Sequence, residues 1–207
     1  QSYLVALHAL EKAGFPVNQV QVITLQALSG GGQATITSPE MEDNVIPYIS
    51  GEEEKTENEP LKVLGRLTKT GIENTDRINI SATCTRVPVI DGHMAVVYIR
   101  FKDKKLSIDA IKSIWNEYKG LPQIENLPTS PERPIIYFDD ENRPQPKLDR
   151  DSEKGMAVTI GRLAQDKFFD ARFVALSHNT IRGAAGGAIL MAELLVKKGY
   201  IHTQTIT

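Results

Sequence analysis

Two neighbouring segments near the middle of the chain alternate apolar residues with other residues at a period of two. Because this period places the apolar side chains of a strand on one face, residues 78–89 and 93–101 are predicted to be strands of a half-buried sheet. Asp91 and Gly92, which separate them, are typical of a turn. The apolar faces consist of Ile78, Ile80, Ala82 and Cys84 in the first strand and of Ala95, Val97, Ile99 and Phe101 in the second.

Helical periodicity recurs along the rest of the chain, with strand-like segments between the helical ones. Apolar residues spaced by three and four predict helices, and runs rich in β-branched residues predict strands. The predicted helices cover residues 3–12, 52–64, 108–115 and 180–198, and the further strands cover residues 20–27, 134–138, 155–163 and 173–176. Because helices and strands alternate without a strict strand–helix–strand rhythm, the predicted fold class is α/β (α+β), a mixed sheet with helices on one face.

The composition argues against several classes of function. The chain of 207 residues has a formal net charge of −2 and no long run of Lys and Arg, so no nucleic-acid partner is predicted. No apolar run reaches membrane-spanning length, so no membrane partner is predicted. The single cysteine, Cys84, makes neither an internal disulfide nor a cysteine-rich metal site. We therefore expect no metal, and a reducing, cytoplasmic location is favoured.

Arg86 and His93 lie at the rims of the two predicted apolar faces, on either side of the turn. A buried guanidinium is costly unless it meets an anion, and its planar fork suits a carboxylate ligand. A nearby histidine can move protons near neutral pH. The spacing alone leaves a simpler alternative open, in which Arg86 pairs with an Asp on the surface and His93 lies at a strand edge.

Three glutamates and Lys55 begin the predicted helix at residue 52. The simpler interpretation is that the helix dipole stabilises acidic residues at that end. The functional alternative is that one Glu binds a substrate amino group while Lys55 binds an anion. Gln26 ends a predicted strand just before a Gly-rich loop, where an amide can orient a ligand.

Other polar and small residues allow a structural interpretation as well as a functional one. Asn179 and Thr180 open the last predicted helix, where they either cap it or contact an anion or a cofactor amide. Residues 30–32, three glycines, match no dinucleotide- or phosphate-binding pattern and are interpreted as a flexible connection. Cys84 is interpreted as a small buried residue and not as a nucleophile.

Six motifs, in this order along the chain, together resemble one known family. They are TLQALSGGG at 24–32, DNVIPYI at 43–49, GEEEK at 51–55, SATCTRVPVIDGH at 81–93, RPQPKLDR at 143–150 and HNTIRGAAG at 178–186. The family that they resemble is aspartate-semialdehyde dehydrogenase, in its archaeal and fungal branch. The resemblance spans nearly the whole chain.

The resemblance implies a fold and a reaction. The fold is a dimerisation domain of the glyceraldehyde-3-phosphate-dehydrogenase-like type, whose mixed sheet is largely antiparallel. The reaction is the NADPH-dependent reductive dephosphorylation of L-aspartyl 4-phosphate to L-aspartate 4-semialdehyde, in lysine, threonine, methionine and isoleucine biosynthesis. It proceeds through a cysteine nucleophile.

The resemblance also assigns roles to the candidate residues. His93 is the catalytic acid/base, and Gln26 orients the substrate near the nucleophile. Arg86 holds the substrate carboxylate, Glu53 meets the amino group, and Lys55 binds the phosphate. These charges complement a substrate with two anionic ends and one cationic group.

The cofactor region is where this sequence departs from the family. The resemblance places NADP mostly on an N-terminal domain, with Asn179 near the nicotinamide. That domain and the family's Asn-Cys pair have no counterpart in this sequence. We expect a substrate-binding and dimerisation domain over residues 1–176 and a C-terminal helical segment, residues 177–207, that packs on the NADP-binding domain. The expected partners are that domain, a small-molecule substrate and further copies of the chain in a homodimer or homotetramer.

Two alternatives to the dehydrogenase stay open. One is a malonyl-CoA reductase-like enzyme of the same superfamily, although the malonyl group carries no amine for Glu53 to bind. The other is a non-enzymatic dimerisation module. Under the dehydrogenase hypothesis the chain alone is inactive, and its last helix exposes an apolar face that includes Ile189, Leu190, Leu194 and Leu195.

Overall fold

The computed structural model describes residues 2–202, which are organised around a six-stranded sheet. The strands are β1 (Val17–Gln26), β2 (Arg66–Thr68), β3 (Gly71–Glu73), β4 (Asn79–Arg86), β5 (His93–Phe101), β6 (Ile135–Tyr137), β7 (Val158–Gln165) and β8 (Ala171–Ser177). The helices are α1 (Leu4–Lys12), α2 (Gln33–Ile36), α3 (Glu52–Val63), α4 (Ile108–Glu117), α5 (Leu121–Ile124), α6 (Pro146–Asp149) and α7 (Gly186–Lys197). Single 3-10 turns cover Leu28–Gly31 and Pro39–Met41.

The sheet is mixed and largely antiparallel, as predicted. Its order is β4-β1-β5-β8-β7-β6, and β2 and β3 form a separate small hairpin. The β4–β1 and β6–β7 pairs are parallel, whereas the three central pairs are antiparallel. The β2–β3 hairpin lies in a stretch for which the sequence predicted no regular structure.

The predicted turn at Asp91 and Gly92 does not join two paired strands, which corrects the simplest interpretation of that signal. β1 lies between β4 and β5, so the connection crosses the end of β1. Backbone hydrogen bonds hold it there, because the N–H groups of Leu28 and Ser29 donate to the carbonyls of Val89 and Ile90. The crossing brings the end of β4 and the start of β5 to the same end of the sheet.

The core lies between one face of the sheet and helices α1 and α4. Trp115 of α4 is fully buried, and its ring meets Phe173 of β8 edge-on with 5.0 Å between centroids. The Trp115 indole N–H donates to the carbonyl of Ala6 in α1, so its polar atom is satisfied within the core. The period-two faces predicted for the central strands point into this core, and Val97 and Ile99 are fully buried there.

The C-terminal helix is packed much less closely than the sheet. It begins with a π-helical turn, Ile181–Ala185, and continues as α7, in which no residue is buried. Ile189 is 53% exposed, as the prediction of an exposed apolar face requires. Leu190, Leu194 and Leu195 are half-buried, which corrects their assignment to that face.

Two features of the described residues are relevant to partners. No helix within residues 2–202 is long and apolar enough to cross a membrane. The same residues contain no group of three or more His, Cys, Asp or Glu side chains arranged to hold a metal ion.

Candidate active site

A cavity of about 610 Å³ opens at one end of the sheet. β1 and β4 end there with Gln26 and Arg86, which lie side by side in register. β5 begins there with His93, opposite Ser177 at the end of β8. The strand order therefore gathers polar residues from distant parts of the sequence at one edge of an apolar core.

His93 lines this cavity and is held by the backbone of Ala27. The Ala27 N–H donates to His93 Nδ1 at 3.1 Å, so in the neutral ring the proton lies on Nε2. Burial, and to a smaller extent the nearby positive charge of Arg86, lower the pKa of His93 from 6.5 to about 4. His93 is consequently neutral at pH 7 and presents an N–H group toward ligands.

Arg86 is buried next to His93 and is linked to it through the same residue. Its Nη1 donates to the Ala27 carbonyl at 2.7 Å, so Ala27 binds His93 with its N–H and Arg86 with its C=O. Burial lowers the pKa of Arg86, while the negative charge of Glu52 opposes that shift. Within residues 2–202 no carboxylate lies within ion-pairing distance of Arg86, so the surface Arg–Asp pair of the simpler interpretation is not formed.

Gly30 separates Arg86 from the cavity, and its lack of a side chain is required there. A Cβ at Gly30 would lie 2.9 Å from His93 Nε2 and 3.0 Å from Arg86 Nη1. Arg86 therefore lies behind the cavity wall, whereas Gly30 and His93 form that wall. The interpretation of residues 30–32 as a flexible connection is wrong for Gly30, because a side chain there would have to displace the His93 ring and the Arg86 guanidinium.

Glu52, Gln26 and Lys55 form a hydrogen-bonded group on the opposite side of the cavity. Glu52 accepts from Gln26 Nε2 at 3.3 Å and from Lys55 Nζ at 3.0 Å. Burial acts to raise the pKa of Glu52, but the hydrogen bonds from Lys55 and Gln26 outweigh it, so this pKa lies below its ordinary value. The group thus offers a carboxylate and an ammonium side by side, with a buried amide behind them.

Glu53 does not lie in the cavity, which corrects its predicted placement at the substrate. Its Oε1 accepts from the backbone N–H of Cys84 at 3.1 Å, on the outer edge of β4. Successive residues on a helix point about 100° apart, so Glu52 and Glu53 cannot face the same surface. Of these two neighbouring glutamates, Glu52 is the one that lines the cavity.

Asn179 lines the cavity and also connects two loops. Its Oδ1 accepts from the Gly92 N–H and its Nδ2 donates to Ser29 Oγ, both at 2.8 Å. Each polar atom of the amide keeps one further bonding position for a ligand. Thr180 and Gly183 continue the wall beside it, and a Cβ at Gly183 would meet only one atom within 4 Å.

Sequence reasoning missed other residues of α3 that face the cavity. Thr56, Glu59, Pro60 and Val63 line it together with Glu52. Spacings of four, seven, eight and eleven from Glu52 describe one face of a helix, so helical periodicity is the signal that identifies them. Cys84 is fully buried in the sheet, as predicted, with its Sγ 3.6 Å from Thr56 Oγ1.

Comparison with known proteins places this fold and site in a family. Residues 7–182 match the model of the semialdehyde dehydrogenase dimerisation domain. The chain belongs to the semialdehyde dehydrogenase family. Within it, the chain is 48% identical over 199 residues to an aspartate-semialdehyde dehydrogenase of Aspergillus fumigatus and 45% identical over 183 residues to one of Methanothermobacter thermautotrophicus. These matches cover 93% and 87% of this chain, and they confirm the resemblance to the fungal and archaeal branch.

A solved structure supports the same fold. The Candida albicans aspartate-semialdehyde dehydrogenase, crystallised with NADP, superposes with a TM-score of 0.86 at 38% identity, over 97% of this chain and 56% of that one. The chain spans about half the length of its relatives, 55% of the A. fumigatus protein and 52% of the M. thermautotrophicus one. A malonyl-CoA reductase (NADP) of Metallosphaera sedula is 40% identical over 190 residues and is thus more distant.

Proposed function

We propose that this chain is the substrate-binding and dimer-forming part of an NADP-dependent aspartate-semialdehyde dehydrogenase. The observation that carries the proposal is the arrangement of Ala27, whose backbone holds the acid/base candidate His93 and the buried cation Arg86 next to one cavity. Family membership supports the same activity. The activity belongs to an enzyme about twice the length of this chain, and the chain alone is expected to be inactive.

Each charged group of the substrate has a counterpart at the cavity. Lys55 binds the phosphate and Gln26 orients the reacting carbonyl region, whereas Arg86, which Gly30 separates from the cavity, supplies positive charge for the α-carboxylate from behind that wall. Glu52, and not Glu53, binds the ammonium group, because its carboxylate lies in the cavity while that of Glu53 is bonded to Cys84. Complementary charge is what selects a small zwitterionic substrate in a buried site.

We place the acid/base role of His93 at Nε2, the nitrogen that Ala27 leaves free. In the neutral ring Nε2 carries the proton, so it accepts one only when Nδ1 has released the Ala27 N–H and taken the ring proton. Because the pKa of His93 is lowered, its ring is neutral at pH 7. In this form the Nε2–H group donates a hydrogen bond to the negative charge that develops on the substrate oxygen. Negative charge that develops on the substrate oxygen stabilises the imidazolium form of His93. The His93 ring can therefore take up a proton during the reaction.

The residues at the start of the last helical segment suit the flat ring of a nicotinamide cofactor and the carboxamide group on that ring. Asn179 keeps one donor and one acceptor position, and Gly183 leaves open space beside it. When bound there, NADPH supplies a hydride. We propose that Asn179 holds the carboxamide, while most of the cofactor is bound by an N-terminal NADP-binding domain of the same enzyme.

The domain organisation and the assembly are part of the proposal. We propose that residues 2–176 form the substrate-binding and dimerisation unit and that residues 177–202 form a segment that packs on the NADP-binding domain. Residues 1 and 203–207, which the sequence prediction included, lie outside the described residues. The second face of the sheet carries Val96, Tyr98 and Ile23, which are only half-buried, and we propose that a second copy of the chain covers it. The free thiol of Cys84 agrees with a cytoplasmic location.

A chimera tests the proposed function directly. The NADP-binding half of the A. fumigatus relative is fused to this chain, and phosphate-dependent reduction of NADP is measured with L-aspartate 4-semialdehyde. We expect turnover, with the same chimera carrying His93→Asn losing at least a hundredfold in kcat. A dimeric chimera that binds NADP but shows no turnover contradicts the proposal. Reduction of malonyl-CoA in its place identifies the alternative enzyme, and binding of neither substrate leaves the dimerisation module.

A further inference from the structure

Within residues 2–202 no strand neighbours the outer edge of β4, yet backbone N–H groups along this edge are bonded. The N–H of Ala82 donates to Glu57 Oε1 at 3.0 Å, and the N–H of Cys84 donates to Glu53 Oε1 at 3.1 Å. The next outward N–H, that of Arg86, donates to the Ile46 carbonyl at 2.8 Å. Two carboxylates of α3 therefore occupy the positions that carbonyls of another strand would fill.

The spacing of the two glutamates matches the spacing of the strand. Residues four apart on a helix are separated by about 6 Å along its axis. Alternate residues of a strand, whose N–H groups point to the same edge, are separated by about 6.6 Å. Glu53 and Glu57 can therefore bind Cys84 and Ala82 at the same time, with α3 aligned along the edge of β4.

These two bonds lie next to three residues proposed to bind the substrate, which are Glu52, Lys55 and Arg86. Glu53 directly follows Glu52 on α3, and Cys84 precedes Arg86 by two residues on β4. Helix α3 supplies Glu52 and Lys55, and β4 supplies Arg86. A shift of the helix along the strand would change the distance between the groups that bind the two ends of one ligand.

We propose that Glu53 and Glu57 are positioning residues that fix α3 against β4 and thereby set the distance between Lys55 and Arg86. This inference rests on the proposed function in so far as that distance matches an aspartyl substrate. The carboxylates act through hydrogen bonds to backbone N–H groups and do not touch the substrate. A ligand of another length would require another placement of α3, so the two glutamates determine specificity for ligand length.

The structural part of the proposal is tested on this chain itself. Crystal structures and backbone amide exchange are compared for the wild type, Glu57→Ala and Glu57→Gln. We expect Glu57→Ala to raise the exchange rate of the Ala82 amide at least tenfold and to move α3 relative to β4. Glu57→Gln keeps an acceptor oxygen and is expected to preserve both. Glu54→Ala is the matched control, since Glu54 is an exposed neighbour on the same helix.

The functional part is tested in the chimera described above. We expect Glu57→Ala to raise KM for aspartate semialdehyde about tenfold and to change kcat less than threefold, with Glu57→Gln near the wild type. An α3 that stays in place in Glu57→Ala, or an unchanged KM despite a displaced helix, overturns the proposal. An inactive wild-type chimera counts against the proposed function instead, and the position of α3 in the variants then decides the positioning role by itself.

Discussion

The cavity end of the sheet and the C-terminal helix differ in burial. Polar groups at the sheet end are buried and hydrogen-bonded, whereas the apolar residues of the helix are not buried. At the sheet end, His93 and Arg86 are held by one backbone residue, Ala27, within a buried setting. Helix α7 makes polar contacts at its surface, where Glu193 accepts from the N–H and the hydroxyl of Thr129 at 3.0 Å. None of its residues is buried within the described part of the chain.

The difference indicates which part of the site this chain completes by itself. Groups that bind a small polar substrate must be fixed before the ligand arrives, and buried hydrogen bonds fix them. An apolar helix without a buried face is completed by another surface. The groups proposed to bind the substrate are therefore fixed within this chain, and we expect the side next to α7 to be completed by another surface.

Truncating one apolar side chain in each region gives the largest expected contrast. Phe173→Ala removes a fully buried ring that packs on Trp115, and we expect it to lower the free energy of unfolding by about 4 kcal/mol. Ile189→Ala removes a side chain that is 53% exposed on α7, and we expect a change below about 0.5 kcal/mol. Urea denaturation at one protein concentration measures both. Equal losses would show that α7 is as well packed as the sheet.

The sequence predicted the features that depend on neighbouring residues. It did not predict those that depend on residues far apart in the chain. Alternation along β5 is local, so the buried faces and the positions of Arg86 and His93 at their rims followed directly from it. The insertion of β1 between β4 and β5 depends on pairing between residues far apart in sequence, which local turn chemistry at Asp91 and Gly92 does not report.

The sequence predicted the candidate site less well where the position of a residue depends on the rotation of a helix or on close contact with distant residues. Which of three successive glutamates faces the cavity depends on how α3 is rotated about its axis against the sheet. The spacing of three between Glu52 and Lys55, extended by Thr56 and Glu59, is the sequence signal that identifies the side of α3 facing the cavity. The requirement for Gly30 depends on where His93 and Arg86 lie in space, and no local pattern contains it.

Acid titration tests the buried state of His93 and is expected to have the second largest effect. The pKa of His93 is about 4 in the folded protein, below its ordinary 6.5, so between these values the unfolded chain binds more protons. The stabilisation is therefore complete above about pH 6.5 and is lost as the pH falls toward 4, by about 3 kcal/mol. His93→Asn lacks this titration and keeps an acceptor for the Ala27 N–H. The difference in unfolding free energy between variant and wild type, measured from pH 7 to pH 4, isolates the effect, and a difference independent of pH would contradict it.

Substitution at Gly30 tests whether the sheet end is as rigid as the hydrogen bonds indicate. In Gly30→Ala the new Cβ would lie 2.9 Å from His93 Nε2, so the ring must move from its position against Ala27. A displacement of that kind is expected to lower kcat/KM of the chimera roughly a hundredfold.

Gly32→Ala is the control, since its φ of +78° adds backbone strain while its Cβ meets no atom within 4 Å. The control should lose stability but retain kcat/KM within about threefold of the wild type, since the strain it adds lies away from the ring. If Gly30→Ala also retained its activity, the loop that carries Ala27 would have to yield under the added methyl group. The sheet end would then be adaptable, as α7 is, and the contrast between the two regions would rest on burial alone.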